Sequence, residues 1–176
     1  MELPPAPPAP VCAAPLPRRG NDAATAGKDR RTVPADLRQQ HHPDCIVCSP
    51  DCAHGLRVAF ALDGRLAVGN FDCAGRYEGY PGMLHGGVIS SLLDGAMTNC
   101  LFLHGVVAVT AELVVRFRHP VLLGKPAQLR AWITENDPPV FRLQAQLVQD
   151  GIIKASGRAA FMLSKPQCQV AQAVQT

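Results

Sequence analysis

The segment from Gly86 to His104 constrains the fold more than any other stretch of this chain. Its apolar residues fall in pairs: Val88-Ile89, Leu92-Leu93, Ala96-Met97 and Cys100-Leu101. Pairs recurring at that interval occupy one wide face of an α-helix. Ser90, Ser91, Asp94, Thr98 and Asn99 fall on the other face, and Gly105 stands where a helix end is closed. Asp94 is the only charged residue in the segment, which suits burial against a sheet better than a solvated surface.

Everything else that is patterned reads as strand. Leu56, Val58, Phe60 and Leu62 alternate with Arg57, Ala59 and Ala61, and Asp63-Gly64 is a hairpin signal. Leu66 and Val68 continue a return strand to about Cys73, and residues 74–84 form a loop broken by Gly75, Gly79, Pro81 and Gly82. After the helix, strands are predicted over residues 106–119, 126–136, 140–149 and 152–163, with turns at Asp137-Pro138-Pro139 and Asp150-Gly151. The order strand–strand–helix–strand–strand–strand–strand predicts an α+β fold, an antiparallel sheet wrapped around one long central helix.

The flanks are different in kind. Residues 1–33 are rich in Pro, Ala, Gly and Arg without hydrophobic periodicity and are expected to be disordered. Residues 34–55 form a Cys- and His-containing lead-in loop, 56–165 the domain proper, and 166–176 a flexible tail. In the lead-in, Cys45 and Cys48 have the spacing of two thiolates that grip one tetrahedral zinc from a tight turn. Cys52 with His41, His42 or His54 could complete four ligands. No second Cys-x-x-Cys pair accompanies them, so the expectation is a loop whose thiols are free or packed against the domain, with no metal assigned.

Composition narrows the function classes. With 47% hydrophobic, 18% charged and only 5% aromatic residues, aliphatic side chains must fill the core. The formal charge of +3 comes without a basic block, so no nucleic-acid partner is expected. No apolar run is read as long enough to span a membrane, and the proline-dense start is unlike a signal peptide. Seven cysteines without an export signal point to a reducing, cytoplasmic setting rather than a disulfide framework.

The chemistry-bearing feature is the loop-to-helix join, GYPGMLHGGVISSLLD, running from Gly79 to Asp94. A helix N-terminus offers unpaired backbone N–H groups and the positive end of its dipole. Gly86 and Gly87 would let a carbonyl approach those groups without a Cβ in the way. A carboxylate in nearly uncharged surroundings, Asp94, could act as general base on water or as nucleophile.

This join resembles that of the hotdog-fold thioesterases, in the PaaI-like branch related to phenylacetyl-CoA-pathway and mitochondrial acyl-CoA thioesterases. The similarity continues through Val109-Thr110-Ala111-Glu112-Leu113-Val114-Val115-Arg116-Phe117-Arg118-His119-Pro120-Val121. The resemblance implies a hotdog fold over residues 56–163 and hydrolysis of an acyl-CoA thioester. It implies Asp94 as the catalytic acid group, Gly86 and Gly87 N–H as oxyanion donors, Thr110 orienting water, and His85 as a helper or loop anchor. Coenzyme A would be held by Arg116, Arg118 and Lys125, and no metal or redox cofactor is required. A homodimer or homotetramer with active sites shared between subunits is also implied. Some phenylacetyl-CoA-type members carry Asn where this chain has Gly79, and the GYPG-x-x-HGG form looks more like the long-chain acyl-CoA branch. The alternative is a non-catalytic acyl-CoA-binding or biosynthetic accessory protein on the same fold. A hydratase would resemble a different Asp-His motif, and a zinc-dependent interaction module would be built on Cys45, Cys48 and Cys52.

Overall fold

The computed structural model describes residues 35–163. The segment expected to be disordered and the tail after residue 165 lie outside the described residues. In chain order the elements are helix α1 (Ala35–His41), strands β1 (Phe60–Asp63) and β2 (Leu66–Asp72), a 3-10 turn (Gly75–Tyr77) and helix α2 (Gly86–Leu103). Four strands follow: β3 (Ala108–Phe117), β4 (Pro126–Asp137), β5 (Val140–Gln149) and β6 (Ile152–Leu163). They form one six-stranded sheet in the order β1-β2-β4-β5-β6-β3, antiparallel at every pairing. The predicted α+β architecture is present, with α2 packed across the sheet.

Alternation along the strands builds the concave face. Ala127, Leu129 and Ala131 of β4, Phe141, Leu143, Ala145 and Leu147 of β5, and Ala155, Ala159 and Phe161 of β6 are buried. They meet Leu92, Leu93, Met97 and Leu101 of α2 in a single core, mostly aliphatic but including Phe60, Phe71, Phe141 and Phe161. By length and apolarity alone α2 could cross a membrane, which corrects the expectation that no such run exists. Its side chains are instead buried by the sheet on one side and the lead-in on the other.

Two local departures have physical causes. The first strand begins at Phe60 rather than Leu56 because Arg57 adopts a left-handed φ of 53°, which breaks the ladder. Its guanidinium donates to the carbonyls of Cys52 (3.0 Å) and Ala53 (3.3 Å), holding that bend. The lead-in, expected to be loop, opens with the seven-residue helix α1, too short and polar for a periodicity to show.

The C-terminal part of the polar face of α2 is not solvated. Thr98 is 6% and Asn99 1% exposed, and Asn99 lies beside Cys48 of the lead-in and Val58. Their side chains are satisfied by the helix itself: Thr98 Oγ1 donates to Asp94 O (3.0 Å) and Asn99 Nδ2 to Gly95 O (2.7 Å). The lead-in packs tightly at Gly95, where a Cβ would clash with Cγ1 of the buried Val47. Gly95→Ala is therefore expected to destabilise the fold. Overpacking costs about 1–3 kcal/mol, outweighing a helix-propensity gain of about 1 kcal/mol. A thermal midpoint at or above wild type would refute this contact.

Candidate active site

The loop before α2 is fixed on both sides before it reaches His85. Gly79 N–H donates to Met83 O (2.9 Å), Leu84 N–H to Val121 O (2.9 Å) and His85 N–H to Tyr77 O (2.9 Å). The connection carrying Val121 is in turn held by Gln149, a buried side chain at the end of β5. Its Nε2 donates to Leu122 O (2.9 Å) and Lys125 O (3.3 Å), and its Oε1 accepts from Leu122 N–H (2.9 Å). Gln149 thus positions the join from a distance. Sequence reasoning missed it, because a glutamine at the end of a predicted strand gives no sign of the distant connection that it holds.

His85 is the N-cap of α2. Its backbone is extended (φ −63°, ψ 135°) and its Nδ1 accepts a hydrogen bond from Gly87 N–H at 2.9 Å. A Cβ on residue 87 would lie 3.0 Å from that Nδ1, so glycine there makes room for the capping imidazole. The first helical bond runs from Ile89 N–H to His85 O (3.1 Å). Of the two glycine N–H groups at this end, Gly87 donates to His85, whereas that of Gly86 has no acceptor among the described residues.

Asp94 lies farther along the same helix and is half-buried. Unlike its neighbours Ser90, Ser91, Thr98 and Asn99, whose side chains bond back to their own helix, Asp94 reaches across to β3. Thr110 Oγ1 donates to Asp94 Oδ1 at 2.7 Å. The β3–β6 register shifts between Thr110 and Glu112, a bulge at the point where Thr110 meets the helix. Burial pushes the Asp94 carboxyl above the ordinary carboxylate value; the Thr110 hydrogen bond pulls the other way. The nearby Cys45 charge raises it further and His42 lowers it. The result is a carboxylate more basic than a solvated one, with one oxygen committed to Thr110.

The structure brings Asp94 and Thr110 together, and likewise His85, Gly86 and Gly87, but the two groups are separate within one chain. From residue 86 to residue 94, at 1.5 Å per residue, the helix rises about 12 Å. The expected coenzyme A residues do not converge either. Arg116 and Arg118 line a groove of about 280 Å³ with Trp132 and Arg158, on the opposite side of the sheet from α2. Lys125 is paired with Asp150 at 2.8 Å.

Comparison with known proteins places these groups in context. Residues 81–151 match the Thioesterase superfamily. Among solved structures, a thioesterase superfamily protein superposes with a TM-score of 0.63 at 26% identity, covering 66% of this chain and 62% of that one. PaaI of the E. coli phenylacetic acid degradation operon gives a TM-score of 0.60 at 20% identity, covering 65% and 84%. A Streptococcus mutans protein bound to acetyl CoA gives 0.56 at 14% identity, covering 58% and 84%. This chain therefore has the hotdog fold, and the segment similar to the Thioesterase superfamily is the one that contains His85, Gly86, Gly87, Asp94 and Thr110.

Proposed function

We propose that this protein hydrolyses the thioester of an acyl-coenzyme A, with Asp94 activating the attack and the α2 N-terminus holding the oxyanion. The observation that carries the reading is the Asp94–Thr110 pair: a half-buried carboxylate of raised basicity, held by one oxygen, the other without a hydrogen bond among the described residues. As a base, Asp94 takes a proton from water while the water oxygen bonds to the thioester carbonyl carbon. The carbonyl electrons move onto oxygen, where N–H donors stabilise them. The C–S bond then breaks as the carbonyl re-forms, and the coenzyme A thiolate leaves. As a nucleophile, Asp94 would bond to the same carbon, the C–S bond would break to release the coenzyme A thiolate, and water would cleave the resulting anhydride to the free acid and the Asp94 carboxylate. That solved neighbours of this fold were crystallised with acetyl CoA or coenzyme A supports this substrate class.

The distance along α2 calls for a second copy of the chain. Strand β3 is an edge strand of ten residues, with Val109 57% and Phe117 55% exposed. Such an edge is a template for pairing. A two-fold antiparallel pairing of β3 near Leu113 sets the Thr110 end of one strand opposite the Phe117 end of the other. Asp94 is bonded to Thr110, and Gly86 lies beside Phe117, whose Cζ is 3.6 Å from a Cβ built on that glycine. The pairing brings the carboxylate of one protomer toward the partner's Gly86.

Release of free thiol from a panel of acyl-CoAs tests the activity, and its pH profile tests the base. Below the raised pKa of Asp94 the carboxylate is protonated and cannot accept a proton, so kcat/KM falls about tenfold per pH unit. The acid limb should lie above the ordinary value of 3.8. A profile flat through that range while the protein stays folded would exclude Asp94 as the base, and no thiol release from any acyl-CoA would exclude the activity.

A further inference from the structure

The lead-in segment carries chemistry that the thioesterase reading does not use. The His42, Cys45 and Cys48 ligand atoms all lie within 4.8 Å of one another, and both thiols are free. His42 Nδ1 and Cys48 Sγ are 3.7 Å apart. Zinc–sulfur and zinc–nitrogen bonds of about 2.3 and 2.05 Å at a tetrahedral angle set an N-to-S edge of about 3.6 Å. A histidine–thiol hydrogen bond would account for that pair alone. The Cys45 sulfur converges on the same point and makes three donors for one ion.

The surroundings hold the three groups in place. Val47 N–H donates to Cys45 Sγ at 3.4 Å, an amide aimed at a thiolate ligand from inside the Cys-x-x-Cys turn. Ser49 N–H closes the turn on Cys45 O (3.0 Å), and Ser49 Oγ donates to Pro43 O (2.6 Å). The His42 ring stands edge-on to Phe102 of α2 with centroids 4.9 Å apart, so its orientation is set by the helix. Val47 and Cys48 are buried, and the turn is anchored to the chain that follows by Leu56 N–H to Ile46 O (2.6 Å) and Val58 N–H to Val47 O (2.8 Å). Cys52, His41 and His54 do not join the cluster.

We propose that His42, Cys45 and Cys48 bind one zinc ion, with water in the fourth position, fixing the lead-in turn whose His42 ring packs against Phe102 of α2. The donor set, one imidazole and two thiolates, is the kind that selects zinc over magnesium or calcium. The proposal does not rest on thioester hydrolysis, and metal content tests it without any assay of turnover.

The test uses the full chain, purified in reductant, washed with chelator and reloaded with zinc, with metal read by mass spectrometry. Cobalt(II) serves as the spectroscopic probe, because thiolate ligation gives a sulfur-to-cobalt charge-transfer band. About one zinc per chain is expected, falling below about a tenth in Cys45→Ser and Cys48→Ser and unchanged in Cys52→Ser. Should the serine variants not fold, alkylation of wild type replaces them: zinc should protect Cys45 and Cys48 but not Cys52. Folded, reduced wild type that takes up no zinc and shows no cobalt–thiolate band would overturn the site. Equal loss in Cys52→Ser, or equal protection of all three thiols, would overturn the ligand set.

Discussion

Asp94→Ala is expected to lower kcat for thiol release from the best acyl-CoA at least about a hundredfold, the scale that a positioned general base contributes. The expectation rests on the role of the carboxylate rather than on the fold. Asp94 is half-buried, its one hydrogen-bond partner among the described residues is the Thr110 hydroxyl, and it is not part of the apolar core that α2 forms with the sheet. Asp94→Asn separates chemistry from stability more finely, because its amide oxygen can still accept from Thr110. Burial raises the folded-state pKa of Asp94, so the ionised form is disfavoured by folding, and wild type loses stability relative to Asn as pH rises through that pKa. The Asn variant should therefore melt no lower than wild type at neutral pH, with any advantage fading below the ordinary carboxylate value, while remaining nearly inactive. Equal turnover by wild type and both variants would remove Asp94 from the mechanism.

What was legible in the sequence, and what was not, follows from the range of the signals. The paired apolar residues of α2 and the alternation of β5 and β6 are local patterns, and the elements appear where those patterns place them. The position of β3 is not local. It follows α2 in the chain yet lies at the far edge beside β6, and no residue in it announces that partner. The polar side of α2 is visible in the sequence as the face that carries Thr98 and Asn99, but not what covers it. Back-bonding to the helix satisfies both side chains and so permits their burial, and periodicity cannot reveal which element covers them. The site was read in the same uneven way. The family resemblance picked out Asp94 and Thr110, which prove to be hydrogen-bonded. It could not show that the Gly87 N–H would be engaged by the capping imidazole of His85, because that depends on a rotamer. Nor could it show that Arg116 would lie on the opposite side of the sheet from α2, since the bulge after Thr110 changes which residues of β3 point outward.

That division of labour at the helix N-terminus yields the second large expected effect. Gly86 is the first residue of α2, and proline is tolerated at a first helical position because the N–H it lacks is unpaired there anyway. His85 before it is already extended, the conformation that a following proline demands. A Cβ on residue 86 meets Phe117 only at 3.6 Å, an ordinary contact. Gly86→Pro should therefore fold and keep its helix while deleting a single N–H donor, lowering kcat by about a hundred- to a thousandfold if that donor holds the oxyanion. Gly86→Ala keeps the N–H and should retain most activity, so the pair isolates the donor from the shape of the residue. Mixing Gly86→Pro chains with Asp94→Ala chains then asks whether one site draws on two protomers. In a hybrid dimer one site combines the intact Gly86 of one chain with the intact Asp94 of the other, and the second site has neither. Random reassembly makes half the dimers hybrid, so about a quarter of wild-type activity should return from two inactive parents. If donor and carboxylate served one substrate from within a single chain, mixing would restore nothing, and the 12 Å rise between them along α2 would have to be bridged by motion that a continuous helix does not allow.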